Sequence, residues 1–425
     1  MLPPRPGKCT DTFPLVVASL AFAALALAGA SVRVEAQNAS DNYTYVQGSS
    51  GNTPSGCGKN GRGGDAPSQI INSIFQSGST YVGYVGGQSQ GGNGSSGNGS
   101  CTSWLGSFTP GGDGGAGGSI SQVTITLSSD AVISNVSSEN NDAYTFPDSD
   151  YVVGVMASGR AGNGGNGGNG GGDGGVGGTQ TDSSGAANIP LVSIVTEDGS
   201  LVEVAGQNQL IGLFAQSTGG SGGSGGSGGL FTGGGSGGNG GWPGPVTISN
   251  AGDITLSDES TDLSVGSVAI LAQSVGGQGG NSGSGGLLIS YGNTGGTGGT
   301  AQPITVMHTG SVITSGDVAI GLNAQSVGGG GGSVPDQTSL TSVGSTNGGA
   351  GGDGGAVSLS IKASETGDRA LVKTSGRFSI AALAQSIGGS GGSVGYQTNL
   401  VSVGGTAGGG GNSGSVAVTL SGADL

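Results

Sequence analysis

A short phrase recurs four times along the chain, each time followed by a glycine tract. It reads Phe214-Ala215-Gln216-Ser217, Leu271-Ala272-Gln273-Ser274, Asn323-Ala324-Gln325-Ser326 and Leu383-Ala384-Gln385-Ser386. Successive glutamines are 57, 52 and 60 residues apart. A period of this size marks one supersecondary unit stacked repeatedly, the signature of a solenoid. A chain built this way offers a long regular surface rather than one enclosed pocket.

Each unit opens with a short run of alternating β-branched and aliphatic residues. Examples are Val123-Thr124-Ile125-Thr126-Leu127, Val246-Thr247-Ile248 and Ile304-Thr305-Val306. Period-two patterning of this kind predicts strands with one buried face. A turn such as Asn250-Ala251-Gly252-Asp253 leads to a second short strand, Ile254-Thr255-Leu256. A third runs from Val268 into the glutamine phrase. Three strands per unit is what one coil of a β-helix requires. The expected fold is therefore all-β, a right-handed parallel β-helix with long glycine-rich loops. Residues 116–425 hold about five repeats of 52–69 residues, and residues 37–115 form a low-complexity segment and cap, with Tyr81 to Ser89 as a degenerate first unit.

The expected inward residues of one unit are Val246, Ile248, Ile254, Leu256, Val268 and Ile270. Burying these few side chains does not offset the backbone entropy lost in ordering ~20 residues. One unit alone is expected to be unfolded, and stacking is what makes the fold stable.

Glycine accounts for 103 of the 425 residues, without the strict Gly-X-Y period of collagen. Most of it lies in Gly-Gly-X tracts such as 162–178 and 219–229. A flexible loop is the expectation from the entropy of glycine. The alternative is an extended polyproline-II arm, whose three residues per turn match the triplet. Apolar phrases between paired tracts, Leu287-Leu288-Ile289, Leu340 to Val343 and Leu400 to Val403, predict one further strand per excursion.

The four glutamines occupy equivalent places. If one unit is one coil, Gln216, Gln273, Gln325 and Gln385 lie about 4.8 Å apart and can form an amide ladder. With two coils per unit they cannot touch. A solvent-facing corner residue is the other reading.

Only 8% of residues are charged, with 25 acidic against 10 basic side chains and a net charge of −15. No basic run is present, which argues against nucleic acid as a partner. At the N-terminus, Arg5 and Lys8 precede an apolar stretch from Leu15 to Ala30, the pattern of an export signal spanning residues 1–36. It is shorter than the ~20 residues of a membrane-spanning helix; an N-terminal anchor that is never cut is the alternative. Small-residue cleavage sites lie at Ala28-Gly29-Ala30 and Val34-Glu35-Ala36. Cleavage removes Cys9 and leaves Cys57 and Cys101, which form either one disulfide in an oxidising compartment or two free thiols.

The stretch Ala269-Ile270-Leu271-Ala272-Gln273-Ser274-Val275-Gly276-Gly277 and the segment from Ala319 to Gly332 resemble the passenger regions of bacterial autotransporters, the proteins of type V secretion. The resemblance is to their glycine-rich subgroup and covers roughly residues 190–425, extending weakly to 120. It implies a parallel β-helix exported from a Gram-negative cell and displayed extracellularly or on the outer membrane, for adhesion or aggregation. Family members end in an outer-membrane barrel. Residues up to Leu425 carry no alternating barrel strands of ~10 residues, so the outer membrane is expected as a partner only through a barrel absent from this sequence.

Catalytic, cofactor and metal residues are expected to be none. The single histidine, His308, has no marked partner for a triad or metal site and reads as a surface strand residue. The densest acidic set, Asp253, Asp258, Glu259 and Asp262, reads as a solvated turn. Gly-Gly-Asp-Gly-Gly at 111–115, 171–175 and 351–355 resembles calcium-binding nonapeptides but lacks the apolar residue those require. The expected function is non-catalytic: adhesion, self-association or surface architecture, with a surface or host ligand. The alternatives are a carbohydrate-active β-helix enzyme and a glycine-rich extracellular structural protein. The latter draws on sequons such as Asn42-Tyr43-Thr44 and Asn135-Val136-Ser137.

Overall fold

A computed structural model describes residues 32–34, 43–47, 49–52, 55 and 71–425, the last range apart from 103–107, 110, 120–121, 137–150, 179–191, 207–208, 231, 259–265, 344–345 and 402–403. Among the described residues every regular element is a strand. Three parallel sheets of eight, seven and seven strands run along the stack, and each coil contributes one strand to each. The coil at the centre of the repeat uses Val246–Asn250, Asp253–Asp258 and Val268–Val275.

Register follows the repeat. Ile248 pairs with Ile194 on one side and Val306 on the other, while Gln273 pairs with Gln216 and Gln325. One sequence unit is therefore one coil, and the chain is a parallel β-helix. Inward positions of the three sheets meet in one continuous apolar column, with Ile125, Ile194, Ile248 and Leu322 fully buried. Each strand edge is covered by the next coil, which is how a narrow core becomes stable in a stack.

One inward assignment is corrected. Val268 faces outward, in a second apolar cluster with Val153, Met156, Ile211 and Leu271. The neighbouring Ala269 and Ile270 both belong to the inner core. Two successive inward residues break the alternation, as a bulge does. Small residues recur at this point, and the cause is crowding: a Cβ on Gly212 or Gly321 would press on Ile254 or Val372 of the adjoining sheet.

The stack begins ahead of residue 116. Ile71–Phe75, Thr80–Val82 and Val85–Gln90 form a complete coil below Val123–Leu127, Val132–Val136 and Tyr151–Arg160. Tyr43–Gln47 adds in front of it, as does Val32–Val34. The latter lies between the two cleavage sites of the expected signal.

The glycine tracts depart from the flexible-loop expectation. Each pair runs out and back as extended triplets whose exposure repeats every third residue. Within Gly222-Gly223-Ser224, the Gly222 N–H donates to Gln278 O of the next coil (2.8 Å). The Gly223 N–H donates to Gly175 O of the preceding coil's return tract (2.8 Å). The Ser224 N–H faces outward and donates to Asn166 Oδ1 (2.9 Å). All three donors of the triplet are satisfied, by three different neighbours. A threefold polyproline-II helix makes this possible because its donors point in three directions. The tracts thus build a slab of parallel and antiparallel glycine helices beside the β-helix. At the outer ends of three excursions, Ile289–Tyr291, Gln337–Val343 and Gln397–Val401 pair in parallel, the additional strand the apolar phrases predicted.

Candidate binding face beside the glutamine ladder

The outer face of the seven-stranded sheet that carries the glutamine phrases is organised in columns. Register places Tyr45, Gln88, Ser158, Gln216, Gln273, Gln325 and Gln385 in one line. The last four form the amide ladder. Gln216 Nε2 donates to Gln273 Oε1 (3.0 Å), Gln273 Nε2 to Gln325 Oε1 (3.2 Å), and Gln325 Nε2 to Gln385 Oε1 (2.9 Å). Ser158 interrupts the line, so Gln88 stands apart and accepts instead from the Tyr43 hydroxyl (2.7 Å).

Each amide bond contributes about 1 kcal/mol net. Gln273→Ala removes two ladder bonds and is expected to cost about 2 kcal/mol; Gln385→Ala removes one and is expected to cost about half that. Denaturant unfolding of the two variants side by side checks the ordering. Equal costs would mean that the column contributes through packing alone.

Beside the ladder runs an apolar column: Met156, Phe214, Leu271, then Asn323, then Leu383. A third column holds Val153, Ile211, Val268 and Ile320. Between these columns and Tyr151, Gly266 and Val318 lies a cavity of about 330 Å³. Val318 has φ of +58°, a conformation that a β-branched side chain rarely adopts. The turn bearing it is tied to the next coil, since the Arg377 guanidinium meets Asp317 at 2.6 Å and its backbone N–H donates to the same carboxylate at 2.7 Å. That pairing holds the Asp317 carboxyl below its ordinary value.

Asn323 is the anomaly of this face. It is 8% exposed, lines the cavity, and its Oδ1 has no hydrogen-bond partner among the described residues. A buried acceptor left unpaired costs about 1–3 kcal/mol.

His308 is not a surface residue. It is fully buried, at a corner between two sheets. Strand parity explains the difference, because Ile304, Val306 and His308 share the inward face of Ile304–His308. The network around it has a fixed direction. Thr196 Oγ1 donates to Asn250 Oδ1 (2.5 Å), and Asn250 Nδ2 donates to Gly252 O (2.9 Å) and to His308 Nδ1 (2.9 Å). His308 Nε2–H then donates to Leu371 O (3.2 Å). Burial lowers the imidazole pKa, against backbone hydrogen bonds to Leu371 and Asn250 that raise it.

The carboxylates divide between structural and exposed roles. Asp173 Oδ1 accepts the Ser236 N–H (2.7 Å) and Asp353 Oδ1 accepts the Asn412 N–H (2.6 Å), so these aspartates of the Gly-Gly-Asp-Gly-Gly segments link adjacent tracts. Asp258 accepts from the Ser267 hydroxyl (2.7 Å); Glu259 and Asp262 lie outside the described residues. Asp253 lines an open groove on the outside of the same corner that buries His308, together with Asp198, Glu365, Asp368, Lys362 and Arg369. Among the described residues no group of three or more potential ligands could hold a metal ion. Cys57 lies outside the described residues, and Cys101 sits in the short strand Cys101–Thr102 between two glycine tracts.

Comparison with protein-family models, with curated proteins and with solved structures finds no match to this chain.

Proposed function

We propose that this chain is a non-catalytic, secreted or surface-displayed rod of the autotransporter-passenger type, acting in adhesion, self-association or cell-surface architecture. One observation carries the reading: the coils stack in register, so like residues form columns along the rod. Such columns present the same chemistry repeatedly, which favours multivalent attachment to a repetitive surface. The acidic balance of the chain disfavours anionic partners such as nucleic acid. The export signal, and the outer membrane as a partner through a barrel outside this sequence, belong to the same proposal.

Beads coated with the purified chain are expected to clump with one another or to adhere to cells. Beads that do neither would defeat the reading. Release of reducing ends from a polysaccharide would also defeat it and favour the second reading, a carbohydrate-active β-helix. That alternative draws on the groove where Asp198, Asp253, Glu365 and Asp368 stand with Lys362 and Arg369. Two carboxylates flanking a glycosidic bond perform general acid–base chemistry on glycans, and this groove supplies carboxylates on which such a reading draws. If it holds, Asp253→Asn abolishes the release.

A further inference from the structure

We propose that the cavity beside the glutamine ladder binds a neutral pyranose unit of a glycan chain. The inference rests on the reading of the chain as a binding rod and names the ligand class of its candidate face.

Three features of the cavity converge on this ligand. Among the described residues its lining holds no charged side chain, so none of them compensates an ionic group. Its lining combines the apolar side chains of Phe214, Leu271 and Ile320 with the amides of Gln216, Gln273 and Asn323. A ligand that fits both must carry an apolar face and a hydrogen-bonding edge. A pyranose ring does so: its C–H groups form one face and its hydroxyls radiate from the rim. The volume of about 330 Å³ lies at the lower end of the range for small-ligand sites.

The third feature is Asn323. The equivalent residues in the coils before and after are Leu271 and Leu383. The fold therefore accommodates leucine in this column, yet this coil buries an amide whose Oδ1 has no donor among the described residues. A buried amide beside a cavity, its oxygen unpaired, is satisfied by a ligand that brings a hydrogen-bonding edge, reached by rotation about the broad terminal amide torsion. Sugar hydroxyls supply that edge, and each glutamine amide retains a second N–H beyond the one used in the ladder. Local rules broken against stability are expected where function requires it.

The test uses the full chain, titrated calorimetrically with a neutral β-glucan hexasaccharide, a neutral α-glucan hexasaccharide and a hexuronate oligomer. Binding of at least one neutral sugar, without binding of the uronate, is expected. Asn323→Leu is expected to weaken that binding tenfold or more while leaving the melting temperature unchanged or higher. Phe214→Leu, which removes the ring but keeps an apolar side chain, is expected to weaken it several-fold. Failure of both neutral sugars to bind, preference for the uronate, or unchanged affinity in Asn323→Leu would each overturn the proposal. Concentration-dependent self-association that Asn323→Leu abolishes, without sugar binding, would assign the cavity to a second copy and overturn it as well. In that case the bead assay still reports clumping, so the adhesive rod stands while the glycan site falls.

Discussion

Gly280→Ala is expected to loosen the glycine slab across two coils, although it adds a single methyl group to an extended tract. The Gly280 N–H donates to Gly238 O, and its carbonyl accepts from the Gly296 N–H, both at 2.8 Å. A Cβ at this position would overlap the Gly223 carbonyl oxygen of the preceding coil. The obstacle is backbone on a packed helix, with no flexible side chain able to move aside. Overpacking of this kind costs about 1–3 kcal/mol, and separating the tracts loses hydrogen bonds worth about 1 kcal/mol each. A total of about 3 kcal/mol is expected. Hydrogen exchange resolves where it falls: amides of 219–228, 235–241 and 276–283 should lose protection together. Ser224→Ala, at the outward position of a triplet, should change stability by less than about 0.5 kcal/mol. If both substitutions behave alike, the tracts do not pack as described.

Acid is expected to weaken the corner around His308, and Asn250 is expected to set how strongly. In the folded chain His308 Nδ1 already accepts from Asn250 Nδ2, and that amide cannot turn around. Its Oδ1 takes the Thr196 hydroxyl, and its Nδ2 also serves the Gly252 carbonyl. A second proton on the ring would face a donor. Burial lowers the folded pKa below the ordinary value of about 6.5, opposed in part by backbone hydrogen bonds to Leu371 and Asn250 and then by Asp253. Between the lowered value and about 6.5 the unfolded chain holds more protons than the folded one. Stability from this group is therefore complete above about pH 6.5 and is lost as pH falls from there through the folded pKa. Denaturant unfolding at about pH 7.5 and about pH 5 reads the difference. His308→Leu, which places an aliphatic residue beside Ile361 of the next coil, should remove this part of the acid sensitivity. Asn250→Leu should cost about 3 kcal/mol at neutral pH, since it orphans the Gly252 carbonyl and His308 Nδ1. An acid response that survives His308→Leu unchanged would place its origin in the carboxylates.

Much of the architecture was legible in the chain because its repeat is simple. Strand alternation in Val246-Thr247-Ile248 and Ile254-Thr255-Leu256 announced the inward faces, and the glutamine spacing announced equivalent positions. Even the burial of His308 was available from parity, since it lies two residues beyond Val306. Val268 was not readable that way, because a bulge at Ala269 shifts the face by one residue and periodicity carries no mark of it.

The repeat by itself determined that identical units must stack, since none buries enough to stand alone. Tertiary structure alone decided what stacking did to the glutamines and glycines. One coil per unit brings the amides within bonding distance, and neighbouring tracts supply the partners that an isolated glycine helix lacks. Asn323 shows the limit most clearly. In the sequence it is one polar letter in a repeated phrase, and only the packing of adjacent coils buries its amide and leaves the oxygen without a partner among the described residues.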